Sequence, residues 1–433
     1  MAGRRIACAV LVLAGLASGE PESAPSTKSD DTGDKSETEP RTWGAVDPGK
    51  GFKVAKTDRG ELSISIYALF RYLNQLPANQ TFLDHLGREH VVHARNDLQF
   101  HRVQVFFKGW VYSKQMHYLV NVWTVNSSQQ VAVVGNMNYR FSRAFVLFAG
   151  VNAIPGTRSN GGSHPYWLAP DRVMADEYFR PGYTSGLWAH GEPIDRLHYT
   201  VMVGTNLSEL GITAFEDTRD LAYGATVWWL PTTGEFGERG GFGDYEDHDE
   251  LATRFGASAA YSRADRASQI SERSPDNTRI RISDSLNLFE TDTLAPGVTV
   301  AKANYHLVAV DAGLKYRGWF LQVELYRRWL DRFLADGPLP MTSITDSGYY
   351  VQGSYMAIPK TVEVYGAHSF VFGAFNNAWE VIGGGNYYPF DTRNMRLNLN
   401  VIGIDFSPVS SVFGYYVGGQ RGVTVSLASS ILF

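Results

Sequence analysis

Residues 423–433 alternate so regularly that they leave the backbone little choice. Val423, Val425, Leu427, Ser429, Ile431 and Phe433 hold the odd positions, against Thr424, Ser426, Ala428 and Ser430 on the even ones. A period of two is the mark of an extended strand whose two faces meet different surroundings. One face is apolar but for Ser429, and the other is small or hydroxylated but for Leu432. Lipid on one side and water on the other suit such a strand. A soluble β-sandwich can also end on an alternating strand, so the rest of the chain has to decide.

The pattern recurs from residue 51 onward. In 62–73, Ile64, Ile66, Ala68 and Phe70 oppose Ser63, Ser65, Tyr67 and Arg71; in 102–112, Val103, Val105 and Phe107 oppose Arg102, Gln104 and Lys108. In 394–406, Met395, Leu397, Leu399 and Val401 oppose Arg396, Asn398 and Asn400. Further strands are predicted at 117–125, 131–139, 143–151, 185–190, 196–205, 220–230, 251–262, 305–315, 318–329, 346–357, 361–372 and 378–387. The total of about sixteen is even, as a closed antiparallel bacterial barrel requires. Aromatic residues make up 13% of the chain and there are 43 glycines, a strand-rich composition whose mean hydropathy is nonetheless slightly negative. Beyond the first twenty residues no run approaches the about 20 apolar residues of a membrane helix, so a bilayer-spanning form of this chain is a barrel. Trp110, Trp123, Trp188, Trp228, Trp229, Trp319, Trp329, Tyr387 and Tyr388 fall near strand ends, where barrels carry interfacial girdles.

The connections carry an independent signal. Short ones at 113–116, 140–142, 191–195, 316–317, 358–360 and 388–393 alternate with long ones at 74–99, 152–184, 206–219, 263–304, 330–345 and 407–420, as in a barrel with turns at one end and loops at the other. The short connections 126–130 and 373–377 and the long 231–250 break the rule. The last reads as an insertion on the turn side. Its Glu246-Asp247-His248-Asp249-Glu250 matches no cation loop by spacing and reads as a solvated acidic stretch, with no metal expected.

At the amino end, Arg4 and Arg5 precede an apolar run and the small residues Ala17, Ser18 and Gly19, the layout of a signal peptide over 1–19. Residues 20–50 are polar and without periodicity, a disordered leader; residues 51–433 form the barrel domain. Cys8, the one cysteine, lies within the apolar run, so the exported chain has no thiol and no disulfide. The formal charge of -5, two units lower without Arg4 and Arg5, does not indicate a nucleic-acid partner. Of 39 basic residues most are arginine, whose planar fork suits oxyanions.

Several stretches together resemble the phosphate-selective porin O and P family, from about Gly51 to Phe433. They are Gly51-Phe52-Lys53-Val54 with Gly60-Glu61-Leu62-Ser63-Ile64; Arg102 with Gly109-Trp110-Val111-Tyr112; the run from Glu177-Tyr178-Phe179-Arg180-Pro181-Gly182 to Leu187, with Leu197-His198-Tyr199; and Phe255-Gly256-Ala257-Ser258-Ala259-Ala260-Tyr261-Ser262-Arg263 leading to Phe320-Leu321-Gln322-Val323-Glu324. The resemblance implies a homotrimer of sixteen-stranded pores in the outer membrane of a Gram-negative bacterium. The third long loop, here 152–184, would fold inward as a constriction, and arginines would line the path. It implies a passive channel for small anionic solutes, phosphate or polyphosphate-like, and handling by the outer-membrane assembly machinery through the strand ending at Phe433. The candidate lining residues are Arg158, Arg172 and Arg180 of that loop, Arg279 and Arg281, and the lumen-facing Arg102, Lys108 and Arg396. Arg279 and Arg281 match a family arginine ladder that is cut short here at Ser283. Alternation places those two on one face, where they could pass an anion from donor to donor. Each loop arginine could equally pair with a nearby carboxylate, such as Asp171, Asp176 or Glu177 for Arg172 and Arg180.

No Gly-x-Ser-x-Gly, His-Glu-x-x-His or phosphate-binding glycine-lysine motif occurs, so no enzyme and no cofactor are expected. Two alternatives stay open on sequence alone: a secreted soluble β-sheet protein that binds carbohydrate, or a barrel enzyme such as an outer-membrane lipase.

Overall fold

Alternation places the strands where the computed structural model has them. It describes residues 50–125, 130–161, 165–205, 220–266, 279–410 and 414–433; the expected signal peptide and most of the leader lie outside these. In chain order the strands are β1 (Phe52–Lys56), β2 (Glu61–Leu76), β3 (Asn79–Leu83), β4 (Glu89–His93), β5 (Asn96–Val111), β6 (Ser113–Val125), β7 (Gln130–Arg140), β8 (Val146–Ala153), β9 (Tyr183–Ile194) and β10 (Leu197–Thr205). There follow β11 (Leu221–Trp229), β12 (Ala252–Asp265), β13 (Val300–Tyr316), β14 (Trp319–Ala335), β15 (Ser343–Ile358), β16 (Val362–Phe372), β17 (Asn377–Tyr387), β18 (Met395–Asp405) and β19 (Gly422–Leu432).

Seventeen strands form one sheet, and apart from β1 they make a closed antiparallel ring of sixteen: β2, β5 and then every strand to β19, which returns to pair with β2 from Val423↔Leu76 to Leu432↔Tyr67. At the seam Phe433 and Ile66 exchange both backbone hydrogen bonds, at 3.1 and 3.0 Å. β1 pairs with the same edge of β2 beyond β19, from Phe52↔Ile64 to Lys56↔Glu61.

The two faces have exchanged their usual roles. Leu399 and Leu427 are each 54% exposed, whereas Asn398 and Asn400 are at most 2% exposed. A water-soluble sheet buries its leucines. This one buries its asparagines, as a wall with hydrocarbon outside and polar groups within must do. Aromatic pairs ring the wall near both ends, Trp319 with Tyr355 (4.5 Å) and Trp229 with Phe255 (6.5 Å) at the turn end, and Tyr261 with His306 (5.0 Å) toward the loops.

Two elements differ from the sequence expectation. The connection 74–99 holds the hairpin β3–β4, which folds because Phe82 and Val92 are buried beneath it and Phe82 packs on Phe406 at 5.5 Å. Its tip is tied by Asp84, which accepts the N–H groups of Leu86 and Arg88. In 246–250 Asp247, Asp249 and Glu250 are exposed, but the insertion before them turns inward: Phe236, Phe242 and Asp244 are buried.

Candidate functional site

The lumen is occupied by three segments whose anchors come from the wall. The third long loop enters from the loop end and carries the helix α1 (Met174–Phe179). Val173 offers α1 no capping side chain, so the wall does: the N–H of Met174 donates to Glu380 Oε1 (2.5 Å) and that of Ala175 to Ser369 Oγ (3.2 Å). Farther along, Arg396 Nη1 donates to the carbonyls of Trp167 (2.5 Å) and Leu168 (3.2 Å), and Asn386 Nδ2 to that of Leu168 (2.9 Å). Arg71 Nη1 meets Asp171 at 2.7 Å, and Tyr305 donates to the carbonyl of Phe179 at 2.6 Å. The expected inward fold of this loop is therefore what the wall's polar face produces.

The segment 231–250 enters from the opposite end. The backbone N–H of Phe242 donates to the carbonyl of Tyr166 at 2.7 Å, and Arg393 donates to the carbonyl of Phe242. Asp244 receives the backbone N–H of Gly318 (2.8 Å) and a ring nitrogen of His248, whose other ring nitrogen meets Glu235 at 2.7 Å. These two acids hold His248 protonated to about pH 9, the Asp244 hydrogen bond contributing most, and the bond from His248 holds Glu235 down to about 2. Asp244, Glu246 and His248 lie close enough together to share a metal ion, but both nitrogens of His248 are taken by carboxylates.

The third segment, 279–299, buries Ile280, Ile282, Leu288 and Phe289. Its Asp284 accepts from the His85 ring at 2.5 Å and its Ser283 Oγ from the N–H of Phe375 at 2.9 Å. Arg279 and Arg281 do not share a strand face. Arg281 belongs to an isolated bridge with Asn287, and its guanidinium donates to the carbonyls of Ser285 (2.9 Å) and Ser410 (3.4 Å). A short bridge lacks the straight ladder over which alternation would align them.

The remaining predicted residues divide by partner. Arg180 forks onto Glu177 with both contacts at 2.9 Å; Arg172 bonds Ser159 (2.9 Å), meets Asp176 at 3.4 Å and lies 4.1 Å over the Trp167 ring. Arg102 faces the lumen 3.4 Å from Asp171 and over Trp123, and Lys108 sits opposite Ser63 and Leu119 on the same face of β5. Arg158 and Arg396 are 2% or less exposed, and among the described residues no carboxylate lies within ion-pair reach of either. Arg71, Arg254, Arg328 and Arg393 are buried in the same interior and escaped the sequence reading; Arg328 meets Asp346 at 2.6 Å and Arg254 meets Asp311 at 2.9 Å. Arg71 was visible as the charged member of the inner face of 62–73.

No family model and no curated protein matches the chain. Solved structures do. An anion-selective porin from Comamonas acidovorans aligns with TM-score 0.52 at 10% identity over 86% of this chain and 100% of that one. The trimer form of OmpT, an outer membrane protein of Vibrio cholerae, aligns at 0.51 and 12% identity over 87% and 100%. OmpF of Salmonella typhi, in complex with daunomycin, aligns at 0.51 and 13% identity over 88% and 100%. At such identities the likeness is one of fold, and the fold is the sixteen-stranded barrel of Gram-negative outer-membrane porins.

Proposed function

We propose that the protein is an outer-membrane porin through which small hydrophilic solutes, anions ahead of cations, diffuse passively, with no chemical step. The observation that carries this is the closed ring whose leucines face outward and whose asparagines and arginines face inward. The preference for anions is supported by Arg396, whose guanidinium bonds run to backbone carbonyls, so that no carboxylate offsets its charge; Arg158, buried beside β11 and β12, is set back from the path. Arg172, Arg180 and Arg102 are largely offset by Asp176, Glu177 and Asp171 and shape the path more than they charge it. Arg281 and Lys108 complete the basic lining, and Arg279 stands at the start of the same segment as Arg281. Phosphate or a polyphosphate-like anion is the solute class we favour, from the resemblance and from the fit of guanidinium forks to oxyanions.

Three such barrels would assemble as a homotrimer, in keeping with the trimer form of the Vibrio barrel, in contact with outer-membrane lipid. Phe433 would be the feature read by the assembly machinery. Single-channel recording in planar bilayers tests the reading: chloride currents that phosphate blocks, with a reversal potential on the anion side in a salt gradient, support it. Cation preference with no effect of phosphate refutes the anionic part, and a purified chain that stays dissolved without detergent refutes the porin.

A further inference from the structure

Where the third loop meets β10, β11 and β12, the interior holds a small cavity with about 20 Å³ of room. A cavity needs about 10–15 Å³ of such volume to admit a particle the size of one water. Its lining includes Arg158, Arg254, Thr157, Thr200, Thr226 and Asn160. Arg158 is 2% exposed; its Nη2 donates to the carbonyl of Gly240 and its guanidinium lies 4.9 Å from the centre of the Phe242 ring, while its Nε and Nη1 are buried and have no hydrogen-bond partner. A buried guanidinium with two unsatisfied donors is an expensive arrangement, and proteins rarely keep one without a counter-charge.

The neighbouring acids are engaged elsewhere. Asp311 holds the Nε of Arg254 at 2.9 Å, and Glu324 accepts the backbone N–H of Arg158 at 2.7 Å and the hydroxyl of Tyr326 at 2.8 Å. The hydroxyls add donors. Thr226 Oγ1 accepts from Ser258 Oγ at 2.8 Å, which frees its own proton to donate. Asn160 Oδ1 is the one unpartnered acceptor among these lining groups, its amide nitrogen being spent on the carbonyl of Ile154 at 2.7 Å.

We infer that this cavity is a monatomic-anion site, a chloride-sized seat in which Arg158 and Thr226 donate to a bound halide and lock the third loop against β10 to β12. The room is that of about one water-sized particle, which suits a monatomic ion better than a tetrahedral oxyanion such as phosphate or sulfate. The site is thus distinct from any solute path, and its occupancy does not depend on the barrel conducting. A water molecule is the rival occupant: it would satisfy Asn160 Oδ1 but bring no counter-charge to the Arg158 donors.

The test uses the full barrel folded in detergent. Crystals grown with bromide should show an anomalous peak in the cavity, and thermal unfolding followed in chloride against gluconate at one ionic strength should give a midpoint that climbs with chloride and saturates. Thr226→Val is expected to raise the half-saturating chloride about tenfold, the effect of about 1.4 kcal/mol, and Arg158→Gln to abolish both signals. Wild-type crystals without a bromide peak, or unfolding midpoints equal in chloride and gluconate, would overturn the inference and leave water in the cavity.

Discussion

The backbone N–H of Phe242 donates to the carbonyl of Tyr166 at 2.7 Å, joining a segment that enters the barrel from its turn end to one that enters from its loop end. Around that bond Arg393 gathers both partners, donating to the carbonyl of Phe242 and lying 5.4 Å from the centre of the Tyr166 ring. The two intrusions therefore brace one another inside the barrel.

Replacing 233–249 with a short turn removes one half of this brace and leaves the wall untouched. Single-channel conductance in planar bilayers should rise several-fold, while the barrel keeps the heat-dependent gel mobility of the folded form. An unchanged conductance would show that the insertion does not limit the path.

Arg396→Met keeps side-chain length but deprives the carbonyls of Trp167 and Leu168 of their donor. A loss of about 1–3 kcal/mol is expected, read as faster protease cleavage within 152–184. The reversal potential in a salt gradient should move toward cations, since a charge without a carboxylate partner is gone; a potential that stays put would remove Arg396 from the selectivity determinants.

The attachment of the insertion should depend on pH through His248 and Glu235. His248 holds its proton to about pH 9 when folded, against about 6.5 when unfolded, so its contribution is full below about 6.5 and is lost as pH rises through 9. Glu235 is held down to about 2, so its contribution is present above about 4.3 and lost as pH falls through 2. Hydrogen exchange in 233–248 should accordingly be slowest, after correction for intrinsic rates, between those limits and accelerate above about pH 9. His248→Gln should flatten the alkaline limb; a limb that persists would place the titration elsewhere.

Deleting Phe433 removes two backbone hydrogen bonds to Ile66 and an aromatic contact with Phe52 at 5.5 Å. About 2 kcal/mol of seam stability is expected to go with them, along with a lower yield of folded barrel in the membrane. Refolding into detergent without cellular factors separates the two effects. A yield that falls in cells far more than in detergent would mark Phe433 as a recognition element, and equal losses would make it a purely structural one.

Sixteen strands were legible because each separates two solvents, and Arg396 among Leu397, Leu399 and Val401 makes that division plain in the letters themselves. The pairing of Arg180 with Glu177 was legible for a similar reason, being three residues away in a short helix. What Arg158 or Arg328 touches was not, because Gly240 is brought there by the insertion and Asp346 by the neighbouring strand β15. The insertion was legible in part: Asp247, Asp249 and Glu250 are exposed as an acidic string suggests, yet Asp244 just before them is drawn inside by the backbone of Gly318 and by His248. Alternation reports which side of the wall a residue faces; it is silent on what else the interior contains.

The seam has a consequence for biogenesis. Since β19 closes the ring on β2, the tube cannot be sealed until that late strand has been delivered. A chain without β19 keeps β2 and β18 as unmated edges, an open trough in place of a tube.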